Sequence, residues 1–164
     1  MASEVQAMGL WRRLGGSELG RWLFTRIVCV KAPYFASISP RLTRLEPGRC
    51  EAYLKHRRRV QNHIGTVHAI ALCNLAELCA GLVTDVSIPR DMRWIPQDMT
   101  VRYLKKAAGR ISAIATPATE LRSTAEPYPA TIEVRLSDAA GQLVASADIH
   151  MWLSPRPGQQ ARKA

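Results

Sequence analysis

From Ala69 to Val83 the chain is apolar at almost every position and holds a single charged residue, Glu77. The spacing predicts one long helix over roughly 66–84, and a helix apolar nearly all round must be covered on most sides. An earlier helix is predicted in "SELGRWLFTRIVCV", with Ser17 as N-cap and Leu19, Trp22, Leu23, Arg26 and Ile27 sharing one side. "APYF" ends it, because a residue before proline avoids the helical region. Residues 1–9 show no periodicity and predict no element. Between Ser39 and Val60 the period changes to two. "RLTRLE", a turn at Pro47-Gly48 and "RCEAYLKH" predict a hairpin. After the long helix come "MTVRYLKKA", "RISAIATP", "TIEVRLSD" and "LVASADIHMWL", with breaks at "AAGR" and "AAGQ". In the third of these Thr131, Glu133 and Arg135 face one way and Ile132, Val134 and Leu136 the other.

The predicted order is a helix, two strands, one long helix and four more strands, without internal repeats. An antiparallel sheet curled around a central helix satisfies it, an α+β arrangement. The 164 residues suit one domain. The expected organisation is an N-terminal helical segment at 1–34 packed on a domain at 35–153, followed by a mobile basic tail at 154–164.

Composition adds little until charge is considered. At 47% hydrophobic and 22% charged the chain is an ordinary globular one. No apolar run is expected to cross a bilayer, and the N-terminus does not read as a secretory leader. Cys29, Cys50, Cys73 and Cys79 form no CxxC pair, and buried free thiols in a reducing cytoplasm are expected. The net charge of +10 predicts an anionic partner, without choosing among nucleic acid, lipid headgroups and a phosphorylated small molecule. Arg12, Arg13 and Arg21 beside Trp11 and Trp22 also fit a membrane interface, although packing on the domain is the favoured role. His63 and His68 lack a Cys or acid cluster to complete a metal site, and there is no GxSxG elbow.

Glu77 shares its side of the helix with Cys73, Asn74, Ala80, Gly81 and Thr84. This small, polar stripe leaves room for a ligand or for the backbone of a second subunit. His68 lies nine residues earlier, about 13.5 Å along the axis and nearly opposite in direction. A small group cannot touch both within one chain, so a site using both draws them from two chains, and a two-fold axis makes two such sites. Periodicity alone equally allows Glu77 to reach solvent or an arginine.

Asn62, Gly65, His68, Leu75 and Glu77 fit the spacing N-x-x-G-x-x-H-x-x-x-x-x-x-L-x-[D/E]. This resembles the hotdog-fold acyl-CoA thioesterases of the phenylacetate-pathway (PaaI-like) type, and within them a YiiD-like branch. "MTVRYLKKAAGRISAIATP" is similar to the strand pair that follows the helix in that family. The resemblance covers residues 35–153 and implies the hotdog fold. The family commonly has two glycines after the motif histidine, where this chain has Ala69 and Ile70.

The resemblance implies hydrolysis of an acyl-CoA by a homodimer, or by a dimer of dimers, with no cofactor beyond the coenzyme A of the substrate. Glu77 is the implied base or nucleophile, with a pKa expected to rise in apolar surroundings. The partner's helix start, at Ala69 and Ile70, is the implied oxyanion site. Asn62 would position water or thioester, or cap the loop; His68 would bond the substrate or brace the fold. Gly65 would allow a tight turn or close approach, and Asn74, Gly81 and Thr84 would line the site. Arg102, Lys105, Lys106, Arg110 and the run "KHRRR" at 55–59 would meet the coenzyme phosphates. Three rivals remain: a non-catalytic acyl-CoA binder, favoured by Ile70; an enoyl-CoA hydratase using His68 with a carboxylate; and a nucleic-acid binder. The last lacks aromatic residues interleaved with its basic run.

Overall fold

In a computed structural model, which describes residues 3–157, the elements run α1 (Ser3–Leu14), α2 (Glu18–Lys31), a 3-10 turn (Pro33–Ile38), β1 (Arg41–Glu46), β2 (Arg49–Leu54), a second 3-10 turn (Arg58–Val60), α3 (Ala69–Ser87), β3 (Met92–Tyr103), β4 (Ile111–Pro117), β5 (Tyr128–Ser137) and β6 (Leu143–Pro155). The six strands form one antiparallel sheet in the order β1-β2-β4-β5-β6-β3, with β1 and β3 at its edges. The sheet wraps α3, whose Leu75, Ala76, Cys79, Ala80, Val83 and Thr84 are sealed from solvent. The predicted two-sided reading of β5 holds, since Ile132, Val134 and Leu136 enter the core. At 19 residues α3 meets the length and composition of a membrane span, contrary to the sequence expectation, and it serves here as the core helix.

Three expectations need correction. Residues 3–9 are not without structure, because α1 covers Ser3–Leu14, and residues 1–2 lie outside the described residues. Ala7, Leu10, Trp11 and Leu14 recur at helical spacing and are half-buried, a signal interrupted by Gly9. The Trp11 ring meets Phe24 of α2 edge-on at 5.1 Å. Second, α2 has its predicted Ser17 cap, whose Oγ accepts from the Gly20 N–H at 3.0 Å, but it packs through its other side. Gly20, Phe24, Thr25 and Cys29 are buried, whereas Leu19, Trp22 and Leu23 are exposed. Thr25 fixes that orientation: its hydroxyl donates to the Arg21 carbonyl and accepts from the Leu42 N–H of β1. Gly20 permits the tight α1–α2 corner, since a Cβ there would stand 1.9 Å from the Leu14 oxygen. Third, β3 starts at Met92, seven residues before the predicted strand. Pro96 reads as a breaker, but β3 is an edge strand and its register shifts between Pro96 and Asp98, a place where the missing N–H is tolerated.

The tail is anchored where it leaves the sheet. β6 continues through Pro155, and Arg156 donates its backbone N–H to Asp91 and its Nε to the Met92 carbonyl. The rest of the expected tail, 158–164, lies outside the described residues. All four cysteines are free, and only Cys73 is partly exposed. Burial, reinforced by neighbouring Cys79, pushes the Cys50 thiol well above its usual range.

Two neighbours on α2 check its orientation. Phe24→Ala should lower stability by about 3 kcal/mol or more, as for a deleted core aromatic. Leu23→Ala should stay within about 0.5 kcal/mol of the parent. Urea unfolding of both variants measures the difference, and equal losses would contradict the packing described.

Candidate active site

The motif loop closes on Asn62. Its Oδ1 accepts from the N–H groups of Ile64 (3.1 Å) and Thr66 (3.0 Å), and its Nδ2 donates to Thr66 Oγ1 at 2.8 Å. Its backbone bonds Thr66 and Gly65 as well. Gly65 takes the left-handed conformation, φ 77°, at the bend. Both ends of the Asn62 amide are thus engaged within the loop.

His68 is the N-cap of α3. Its Nδ1 accepts from the Ile70 N–H at 3.1 Å, which places the ring proton on Nε2. The Ile70 N–H is thus already engaged. The Ala69 N–H meets no acceptor among the described residues and remains the open donor at the positive end of the helix. The Ile70 side chain stands out into solvent beside it.

Glu77 is exposed, so a single chain does not supply the apolar enclosure expected for it. The stripe assigned to it divides. Thr84 is fully buried, with its hydroxyl donating to the Ala80 carbonyl, and Ala80 is buried too. Asn74 turns inward, its Nδ2 on Ser37 Oγ at 3.1 Å and its Oδ1 without a hydrogen-bond partner among the described residues. Gly81 stays with Glu77: both line a cavity of about 770 Å³ between α3, β3 and the two N-terminal helices. On the other side of Glu77, one turn back, Cys73 Sγ lies 3.0 Å from Tyr103 Oη at the end of β3. Met99, Val101 and Tyr103 pair with buried Ile149, Ala147 and Ala145, so they face the helix side of the sheet. Met99 and Tyr103 nevertheless remain exposed, because β3 has no neighbour on its outer edge.

The cations expected for phosphate occupy two settings. Arg102 is bound to Asp148 at 2.7 Å and lies out on β3. Lys105, Lys106 and Arg110 sit on the β3–β4 connection, which is tied to the motif loop. Val67 donates to the Ala107 carbonyl at 2.8 Å, and Gly109 donates to His56 Nδ1 within the basic run. Lys105 reaches Gln142, and Arg110 stacks over the Tyr53 ring. No group of three or more potential metal ligands occurs among the described residues. Sequence reasoning missed Tyr103, Trp94 and the α1–α2 wall of the cavity. Only the spacing of Ala7, Leu10, Trp11 and Leu14 could have signalled that wall.

A curved antiparallel sheet around one helix, opened by a capped glycine loop, defines the hotdog fold of the thioesterase superfamily. Residues 20–153 match the family described as Domain of unknown function (DUF4442), and the chain belongs to that family. It is similar to a structural-genomics target of known crystal structure, with 40% identity over 94% of this chain and 100% of that one, and a TM-score of 0.79. It is also similar to a protein of unknown function from Pseudomonas aeruginosa, called a probable thioesterase, with 25% identity, coverage of 80% and 93%, and a TM-score of 0.72. A thioesterase from Haemophilus influenzae shares the fold at 15% identity, with coverage of 78% and 86% and a TM-score of 0.67. No curated protein matches the chain at a significant level.

Two measurements address the geometry around α3. His68→Ala removes the cap and should cost about 1 kcal/mol of stability, largely restored by His68→Asn. The ring of Tyr103 is half exposed, but its hydroxyl turns in against Cys73, and desolvation there first, with the Cys73 contact second, raises its pKa from 10 to about 12. With the folded value above the unfolded one, its contribution to stability is complete below pH 10 and is lost as pH rises through 12. Absorbance titration should show a tyrosinate step near pH 12 that Tyr103→Phe abolishes. Its persistence in the variant would rule out the assignment.

Proposed function

We propose that the protein is an acyl-CoA thioesterase working as a homodimer, with Glu77 of one chain and the α3 start of the other completing each site. The observation that carries this reading is the placement of Glu77: an exposed carboxylate at an apolar cavity, on a helix beside an unpaired 12-residue edge strand. Such an edge invites pairing with another strand, and Met99 and Tyr103 give it apolar side chains to bury. A second copy docked along β3 would enclose Glu77 in apolar surroundings, the setting in which a carboxylate becomes a stronger base.

Each group then has a task. The open Ala69 N–H, at the positive end of the helix, stabilises the oxyanion that forms on the thioester carbonyl. Glu77 takes a proton from water as the water oxygen bonds to the carbonyl carbon. The carbon–sulfur bond breaks, and the proton passes to the departing thiolate, giving free acid and coenzyme A. Lys105, Lys106, Arg110 and the run at 55–59 supply the positive field that the coenzyme phosphates require. Arg102, bound to Asp148, is less available for that task. Asn62 and His68 act as positioning residues, holding the loop and the helix start. The free thiols fit work in the reducing cytoplasm.

One feature favours a second reading. Ile70 projects beside the open N–H and narrows the approach to it, which suits a protein that binds acyl-CoA without cleaving it. Thiol release from a panel of acyl-CoA esters separates the two. Glu77→Gln should lower kcat by about 100-fold or more with little change in KM, as for loss of a general base. Mixing Glu77→Gln protein with an Ala69→Pro variant, itself inactive through loss of the N–H, should restore about a quarter of parental activity, because half of randomly paired dimers keep one intact site. Full turnover by Glu77→Gln, or no recovery on mixing, would overturn the two-chain site.

A further inference from the structure

The cavity beside Glu77 encloses about 770 Å³, within the range of sites for sizeable organic ligands. Its walls include Leu10 of α1, Phe24 and Val28 of α2, Leu78 and Leu82 of α3, and Trp94 of β3. The polar side chains on the lining are Arg13, Lys31, Glu77 and Asp85. The first three are exposed, and Asp85 accepts from the Trp94 indole N–H at 2.8 Å. Apart from these four, the side chains on the lining are apolar.

The lining along α3 sets a length. Glu77, Gly81 and Asp85 follow one another at four-residue steps on α3, so the lining along the helix is roughly 12 Å long. An extended chain advances about 1.2 Å per bond, which matches about ten carbons. Gly81 opens this path: a Cβ there would stand 3.2 Å from the Trp94 ring, which the bond to Asp85 holds over the helix.

We propose that this cavity takes the hydrocarbon of an unbranched acyl chain of about ten carbons, with its carbonyl end at Glu77, so that α1 and α2 form the chain-length gauge of the site. The position of the carbonyl rests on the thioesterase reading, whereas the affinity of the cavity for an alkyl chain does not.

Binding and turnover are measured separately on the full chain. A neutral fluorescent probe, N-phenyl-1-naphthylamine, is displaced by n-alkanols from four to sixteen carbons. Affinity should rise about fourfold per methylene up to about ten carbons and then level off. In Val28→Trp, which fills the cavity from α2, displacement by decanol should weaken at least tenfold. Val28→Ala, which enlarges the cavity, should move the plateau to longer chains and keeps the test alive if the tryptophan variant misfolds. Leu23→Ala, on the outer side of α2, should leave the series unchanged. In turnover, the decanoyl-to-butanoyl ratio of kcat/KM should fall at least tenfold in Val28→Trp. A flat alkanol series, or one indifferent to both Val28 variants, overturns the proposal even if acyl-CoA is hydrolysed. Length-dependent binding without hydrolysis of any acyl-CoA keeps the chain pocket and removes the thioesterase reading. Preference for an aromatic acyl group over decanoyl also overturns it.

Discussion

The need to cover a helix that has almost no polar face organises the molecule. Water must be kept from Leu75, Ala76, Cys79, Ala80 and Val83 together, and every square ångström of apolar surface left exposed there costs about 25 cal/mol. A curved sheet covers one side of such a helix, and its reach ends at β3. The side left over is closed by α1 and α2, brought over α3 by the Gly15–Gly16 turn and held by Thr25 on β1. Glu77 sits where that cover stops. Its position in an apolar helix is possible because both coverings leave a gap at that turn, and the cavity is the same gap continued along the helix.

The residues of the spaced motif divide their labour in a way their types do not announce. Asn62 and His68 are the polar members with familiar chemical uses, yet their hydrogen bonds are spent on local structure. Asn62 holds the loop, Gly65 bends it, and His68 stands as N-cap, leaving the Ala69 N–H open at the front of α3. The motif is largely an instruction for building one helix start in one orientation. Ala69 and Ile70, in place of the two glycines of the thioesterases that the sequence resembles, leave that start intact, because an N–H does not depend on the side chain it carries. What changes is the space in front of it.

Charge is distributed to match. The cations nearest the helix start lie on two segments stitched to each other by Val67–Ala107 and His56–Gly109. Their closeness is therefore imposed by one backbone hydrogen bond and one to the His56 side chain, against their mutual repulsion. Repulsion of this kind is tolerated at a surface where solvent screens it, and an anionic ligand relieves it.

The hairpin of β1 and β2, the alternation of β5, the Ser17 cap and the long helix were legible in the sequence, because each follows from periodicity or from a cap that acts within a few residues. Gly9 hid α1 and Pro96 hid the first half of β3, since both residues read as breakers unless neighbouring elements tolerate them. The sequence also showed that α2 is apolar on more than one side, but not that Phe24 would turn inward and Leu23 outward. It placed Glu77 in the apolar run of α3, but not that this acid would be exposed beside a cavity walled in part by residues about fifty to seventy positions away. Periodicity decides that an element has a side to bury. Which side is buried, and what space is left over, depends on the elements that arrive against it, and only the tertiary structure brings those together.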